Sequence, residues 1–201
     1  MFTGIVEEIG IIRRVSATPS GKRLEVACAR VLERLAVDDS VNVSGACLTV
    51  TARDDRGFTC DVVPETLSRT TLGRAAPATR LNLERAATLQ TALGGHLVQG
   101  HVECTTALRS RSAAGDGARL AFAKPSSLDR YIVDKGFITL DGVSLTLAAL
   151  RDDEFDVAIV PHTAGRTTLG TLRDGDLVNV EVDIVAKYVE RLLSTHLQRP
   201  A

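Results

Sequence analysis

The chain has 201 residues, 44% of them hydrophobic and 3% aromatic, with no Trp, so any core is built from Val, Leu, Ile and Ala. A formal net charge of −1 offers no basic surface for nucleic acid or an anionic membrane and points to a small, roughly neutral ligand. The opening MFTGIVEEIG lacks a basic stretch before an apolar run, and no segment reaches membrane-spanning length. The expected setting is therefore cytoplasmic, with Cys28, Cys47, Cys60 and Cys104 reduced and mostly acting as small buried hydrophobes.

The first half reads as short strands at Ile5-Val6, Ile11-Ile12, Leu24–Val26, Val41–Val43, Leu48–Val50 and Phe58–Val62, with turns at Pro19–Gly21 and Asp54–Gly57 and one helical turn at Val31–Leu35. Short strands at this spacing predict a small closed β-barrel, with a sandwich as the alternative. The second half repeats the pattern at Val102–Leu108, Leu120–Phe122, Phe137–Leu140, Leu145–Leu147 and Phe155–Val160. Arg111–Gly117 reads as a loose loop, and a short helix is expected over Ser126–Val133, after Pro125. In the tail, Ile184, Val185, Tyr188, Val189, Leu192 and Leu193 form one apolar stripe of an amphipathic helix. Such a helix either covers a barrel end or packs on copies of itself.

The chain is internally duplicated. PETLSRTTLG at Pro64–Gly73 and PHTAGRTTLG at Pro161–Gly170 share seven of ten positions at an offset of 97 residues. The same offset pairs Gly45–Val50 with Gly142–Leu147 and Leu81–Glu84 with Val178–Glu181. Near the start an offset of 96 pairs Gly4–Val6 with Gly100–Val102. A unit of this length is a small domain, not a solenoid repeat. Two barrels are expected, over 1–93 and 94–183, with a terminal helix over 184–201.

No GxGxxG, Walker, HExxH or GxSxG pattern is present. His96 and His101 are five apart and Cys104 is three from His101, odd spacings that put strand side chains on opposite faces, so a metal site is not expected. If each copy holds a similar small molecule, shared positions recognise it and differing positions carry the asymmetry of the chemistry. Thr49 and Thr146, Thr66 and Thr163, and the Arg-Thr-Thr turns at Arg69–Thr71 and Arg166–Thr168 are shared. Cys47 against Ser144, Ser40 against Phe137, Asp38 against Lys135, Ala86 against Asp183 and Ile5 against His101 differ. Taken singly, each has a plain reading: core filler, satisfied strand histidine, solvated charge.

MFTGIV, SGACLTV, PETLSRTTLG, GGHLVQGHV, KGFITLDGVSLTL and VNVEVDIVAKYVERL together, in this order over nearly the whole chain, resemble the α-type riboflavin synthase family. The resemblance implies an all-β fold of two six-stranded antiparallel Greek-key barrels and a C-terminal helix that builds a homotrimer. It implies sites between the N-terminal barrel of one subunit and the C-terminal barrel of its neighbour, and association with lumazine synthase. The reaction it implies moves a four-carbon unit between two molecules of 6,7-dimethyl-8-ribityllumazine, giving riboflavin and 5-amino-6-ribitylamino-uracil. No redox or metal cofactor is expected, because the dismutation balances between identical substrates. A lumazine-binding antenna protein of the same fold is the alternative; a degraded second pocket would mark it.

The lumazine 7-methyl group is acidic because its carbanion delocalises into the ring, and bringing two ring systems together lowers much of the barrier. By resemblance, His101 and Thr146 handle protons, Cys47 and Ser40 serve as nucleophile or polar stabiliser, and Asp183 orients or accepts a proton. Also by resemblance, the pockets are lined by Gly4, Ile5 and Val6; by Cys47, Leu48 and Thr49; and by Asp61, Val62, Val63, Pro64, Glu65 and Thr66. Gly100, His101, Val102 and Lys135 join them, with Ser144, Leu145 and Thr146, and with Ala158, Ile159, Val160, Pro161, His162 and Thr163. Two departures from the family pattern stand out: Ser44 where Asn is common, and Cys104-Thr105 where a Gly-containing turn is usual.

Overall fold

The structure, a computed structural model, describes residues 1–197. It contains two closed six-stranded antiparallel barrels in tandem. The first is built from β1 (Glu8–Thr18), β2 (Gly21–Ala27), β3 (Ser40–Val43), β4 (Ala46–Asp54), β5 (Gly57–Val62) and β6 (Arg80–Arg85), in the order β1-β2-β5-β4-β3-β6. The second is built from β7 (Cys104–Ala114), β8 (Gly117–Ala123), β9 (Phe137–Leu140), β10 (Val143–Leu150), β11 (Glu154–Ile159) and β12 (Leu177–Val182), and repeats that order. Closure leaves no unpaired sheet edge. A barrel this small bends its strands sharply, and the bends fall at matching places. Register shifts occur between Ile12 and Arg14 and between Val50 and Ala52, and again between Leu108 and Ser110 and between Leu147 and Ala149.

Three sequence expectations are corrected. Arg111–Gly117 is a tight β7–β8 hairpin, because Ala113 pairs with Ala118 and Ala114 with Gly117 around a two-residue turn. Ile5-Val6 is not a strand of the first barrel; β1 begins at Glu8. The sixth strand of each barrel is instead β6 or β12, the repeated Leu-Asn-Leu-Glu and Val-Asn-Val-Glu blocks. Their alternation was masked because both faces are buried, one in the barrel and one between barrels. The Pro-Xaa-Thr blocks form short helices, α1 (Pro64–Arg69) and α2 (Pro161–Arg166), with Pro at the first helical position, where its missing N–H costs nothing.

Each barrel has its own core. Leu24, Val26, Phe58, Leu72 and Leu83 centre the first; Leu120, Phe122, Phe155, Leu169 and Val180 centre the second. With few aromatic residues, many aliphatic side chains share the stabilisation, each contributing roughly 1.5–3 kcal/mol on full burial. Cys60 lies in the first core, and Cys28 packs against it. Burial pushes both thiols up to about 12, which leaves them inert.

The barrels meet through reciprocal asparagines. Asn82 of β6 donates from Nδ2 to Asp141 O (2.8 Å) and Thr168 Oγ1 (2.9 Å), and its Oδ1 accepts the Thr168 N–H. Asn179 of β12 donates to Ser44 O (2.6 Å) and accepts the Thr71 N–H (2.7 Å). Both asparagines are 1% exposed, and every such bond crosses from one repeat to the other. The final helix, α3 (Ile184–Leu197), leaves β12; residues 198–201 of the expected helix lie outside the described residues.

Candidate active site at the barrel mouths

The segments that lead into the two barrels are exchanged. Gly4 precedes the first barrel, yet its carbonyl accepts the N–H of Ser144 on β10 (2.8 Å), and Val6 packs on the second core. Gly100 precedes the second barrel, yet its carbonyl accepts the N–H of Cys47 on β4 (2.8 Å), and Val102 packs on the first core. Each barrel mouth is thus strapped by chain belonging to the other repeat. His101, which precedes the second barrel in the chain, stands over the first.

Two buried carboxylates hold the straps. Glu84 accepts the N–H of Thr3 (2.7 Å), the Thr3 hydroxyl (2.7 Å) and the N–H of Gly4 (3.0 Å). Glu181 accepts the N–H groups of Gln99 (2.6 Å), Gly100 (2.9 Å) and His101 (2.9 Å). Burial raises the pKa of both against the opposing pull of these bonds. Both glycines have positive φ, +76° at Gly4 and +80° at Gly100. A Cβ would stand 2.5 Å from Ser144 Cβ in the first case and 2.6 Å from Cys47 Cβ in the second, so no other residue fits either strap.

A cavity of about 390 Å³ opens at the first mouth. Cys47 of β4, Glu65 and Thr66 of α1, and Gly100, His101 and Val102 of the strap line it, which brings six of the expected site residues together. Arg69 and Thr70 of the repeated Arg-Thr-Thr turn line it too; Ala46, Glu103 and Lys187 complete it and were not anticipated. Lys187 reaches in from α3 and pairs with Glu103, which also accepts the Val182 N–H (3.0 Å). Glu84 and Glu181 lay inside another repeated block, and the duplication was the signal that could have found them. Lys187 offered none, because α3 has no counterpart in the first half.

The other expected residues are distributed as follows. At the second mouth Ser144 meets Gly4, Val6 packs on the second core, and Ile5 between them in the chain is exposed. Thr49 and Thr146 are exposed on their strands, opposite Ser40 and Phe137. Ser40 and Ile5 share a separate cavity of about 680 Å³ with Arg34, Asp39 and Arg85. Leu48, Val62, Leu145 and Ile159 turn their side chains into the cores. Asp61 is tied to Arg23 by two hydrogen bonds (2.7 and 2.8 Å), which lower its pKa. Val63 and Pro64 begin α1; Val160, Pro161, His162 and Thr163 occupy the same places at α2, and Ala158 faces Arg119 across the β11–β8 pair. Lys135 donates from Nζ to Ala148 O (2.9 Å). Asp183 caps α3, its Oδ1 accepting the Val185 N–H (3.0 Å).

Paired barrels with exchanged straps, a small-molecule-sized cavity and polar backbone at the mouth define a duplicated ligand-binding barrel protein. A family model described as the lumazine binding domain matches residues 3–86 and 99–183, one match per barrel. Riboflavin synthase of Mycobacterium tuberculosis is 46% identical over 197 residues, covering 96% of this chain and 98% of that protein. Riboflavin synthase of Schizosaccharomyces pombe is 38% identical over 199 residues, and that of Bacillus subtilis 37% over 193 residues; they cover 98% and 96% of this chain and 96% and 90% of their own lengths. Among solved structures, LumP complexed with riboflavin superposes with a TM-score of 0.84 at 25% identity, over 90% of this chain and 99% of that one. The chain belongs to the riboflavin synthase family and carries its lumazine-binding domain twice.

Proposed function

We infer that the protein is a riboflavin synthase: a transferase that moves a four-carbon unit between two molecules of 6,7-dimethyl-8-ribityllumazine, releasing riboflavin and 5-amino-6-ribitylamino-uracil. The observation that carries this reading is the pair of equivalent but unequal mouths. Both hold a strap glycine against β4 or β10, and both have a Thr on the helix that follows β5 or β11. They differ at Cys47 against Ser144 and at His101 against Ile5. Like molecules treated unlike is what a dismutation requires. Orientation of two rings supplies much of the rate, and side chains need only assist proton movement.

In this reading Cys47, Thr66 and the strap Gly100–Val102 bind one lumazine, with His101 handling a proton. Ser144, Thr146, Thr163 and the strap Gly4–Val6 bind the other, with Lys135 and Asp183 at its margin. Ser40, beside Ile5, contributes from the neighbouring cavity. The helix α3 joins three chains, so that the N-terminal barrel of one meets the C-terminal barrel of the next. Its exposed apolar side chains support that arrangement. A cytoplasmic setting and an association with lumazine synthase complete the proposal.

The test is direct. Purified protein mixed with 6,7-dimethyl-8-ribityllumazine, without added cofactor, is expected to form riboflavin, read by absorbance and fluorescence. Stoichiometric binding with no product would replace this reading with that of a ligand-storing or antenna protein.

A further inference from the structure

The second mouth holds a buried histidine. His96 is 5% exposed. Its Nδ1 lies 2.7 Å from Ser144 Oγ and its Nε2 3.2 Å from Thr139 Oγ1. The ring stacks on Phe137, 5.0 Å between centroids and 9° from parallel, and its backbone N–H donates to Thr3 O (3.2 Å). In the first barrel Cys47 stands for Ser144, Asn42 for Thr139 and Ser40 for Phe137. Asn42 Nδ2, at the place of Thr139, is buried with no hydrogen-bond partner among the described residues.

Burial lowers the imidazole pKa below its ordinary value, and the carboxylate of Asp183 acts in the opposite sense. A ring that is neutral near pH 7 has one N–H and one lone pair, so its two hydroxyl neighbours must bond in opposite senses. One of the two senses has Ser144 donating to Nδ1 and Nε2–H donating to Thr139, and separations of 2.7 and 3.2 Å are compatible with it.

We propose that His96 is a positioning residue of the second mouth: by accepting the Ser144 hydroxyl proton on Nδ1, it turns the Ser144 oxygen lone pairs toward the ligand. The second lumazine then meets a fixed hydrogen-bond acceptor where the first meets the Cys47 thiol. This deepens the riboflavin synthase reading and rests on it, giving the inequality of the two mouths a physical form. Once Nδ1 is protonated, it must donate to Ser144, and the hydroxyl presents its proton instead. Turnover therefore falls on the acid side. The groups facing the ring from β9 and β10, Phe137, Thr139 and Ser144, are neutral, as is Thr3 of the strap; Asp183, ahead of α3, is the charge that acts on it.

The experiment compares pH profiles of kcat and KM for the unaltered protein, His96→Gln and Ser144→Ala. Both variants are expected to lose the acid limb and about tenfold in kcat, about 1.4 kcal/mol in the barrier, with KM within about twofold. An acid limb retained in Ser144→Ala, or a change confined to KM, overturns the proposal. Nitrogen-15 NMR of the unaltered protein decides it independently of folding of the variants and of turnover. Nδ1 is expected to be the unprotonated nitrogen, and an Nδ1–H tautomer refutes the assignment. Absence of turnover by the unaltered protein would sink the riboflavin synthase reading, while the nitrogen spectrum would still decide the positioning role.

Discussion

At the scale of single residues, the site depends on positions where only one side chain fits. Gly100 is the clearest case, because its positive φ and its approach to Cys47 act together. An alanine there would meet about 1–2 kcal/mol of backbone strain in addition to the clash. Relief would require the strap to lift off the first mouth, taking His101 and Val102 with it. Gly4 keeps the second strap seated throughout. Gly100→Ala is therefore expected to lower ligand stoichiometry from two per chain to one, with the folded barrels intact. Fluorescence titration with riboflavin checks this, and two undiminished sites would refute it.

At the scale of elements, the β3–β4 and β9–β10 turns sit back to back, Gly45 against Gly142. Ser44 (φ +47°) and Asp141 (φ +46°) occupy the same left-handed position, one that suits Asn or Asp. The departure at Ser44 is thus accommodated: its Oγ accepts the Asn82 N–H (3.1 Å), as Asp141 Oδ1 accepts that of Asn179 (2.8 Å). Asp141 has a cost that Ser44 lacks. Burial pushes its carboxyl up to about 7 from the ordinary 3.8. The folded state holds that proton more tightly than the unfolded chain, so stability from this group is greatest below pH 4 and is lost as pH rises toward 7. Asp141→Asn keeps the acceptor and the turn but cannot ionise. Its Tm at pH 8 is expected to exceed that of the unaltered protein by about 2–4 °C, the shift given by ~1 kcal/mol in a chain of this size. The gain should vanish near pH 4. A difference independent of pH would show that Asp141 does not titrate in this range.

At the scale of the whole molecule, α3 is attached by its polar side. Glu190 accepts hydrogen bonds from the Tyr131 hydroxyl (2.5 Å) and Arg130 (2.6 Å), Lys187 pairs with Glu103, and Asp183 caps the first turn. The apolar stripe faces outward instead, with Val185 51%, Tyr188 62% and Leu192 65% exposed. Water is a poor neighbour for such a stripe. Removing residues 184–201 is expected to convert the proposed trimer to monomers in sedimentation. It should also lower turnover, since the lumazines of neighbouring chains no longer meet and Lys187 is lost from the first mouth. A trimer that survives the truncation would refute the role given to the helix.

Resemblance to a known family supplied the barrel architecture and six residues of the first mouth; the sequence by itself determined the duplication, the short-strand pattern and the apolar stripe of α3. These are local or periodic properties: alternation along strands, turn chemistry, and the spacing at which one unit repeats. It could not show that the straps are exchanged, because Gly4 and Gly100 look alike and nothing in either segment says which barrel it will cover. Only tertiary structure decided that His101 lines the first mouth, that Glu84 and Glu181 hold the straps, and that His96 bonds Ser144. Each of those hydrogen bonds joins residues 48 or more positions apart, a separation at which the pairing is set by how two closed barrels pack together rather than by any pattern along the chain.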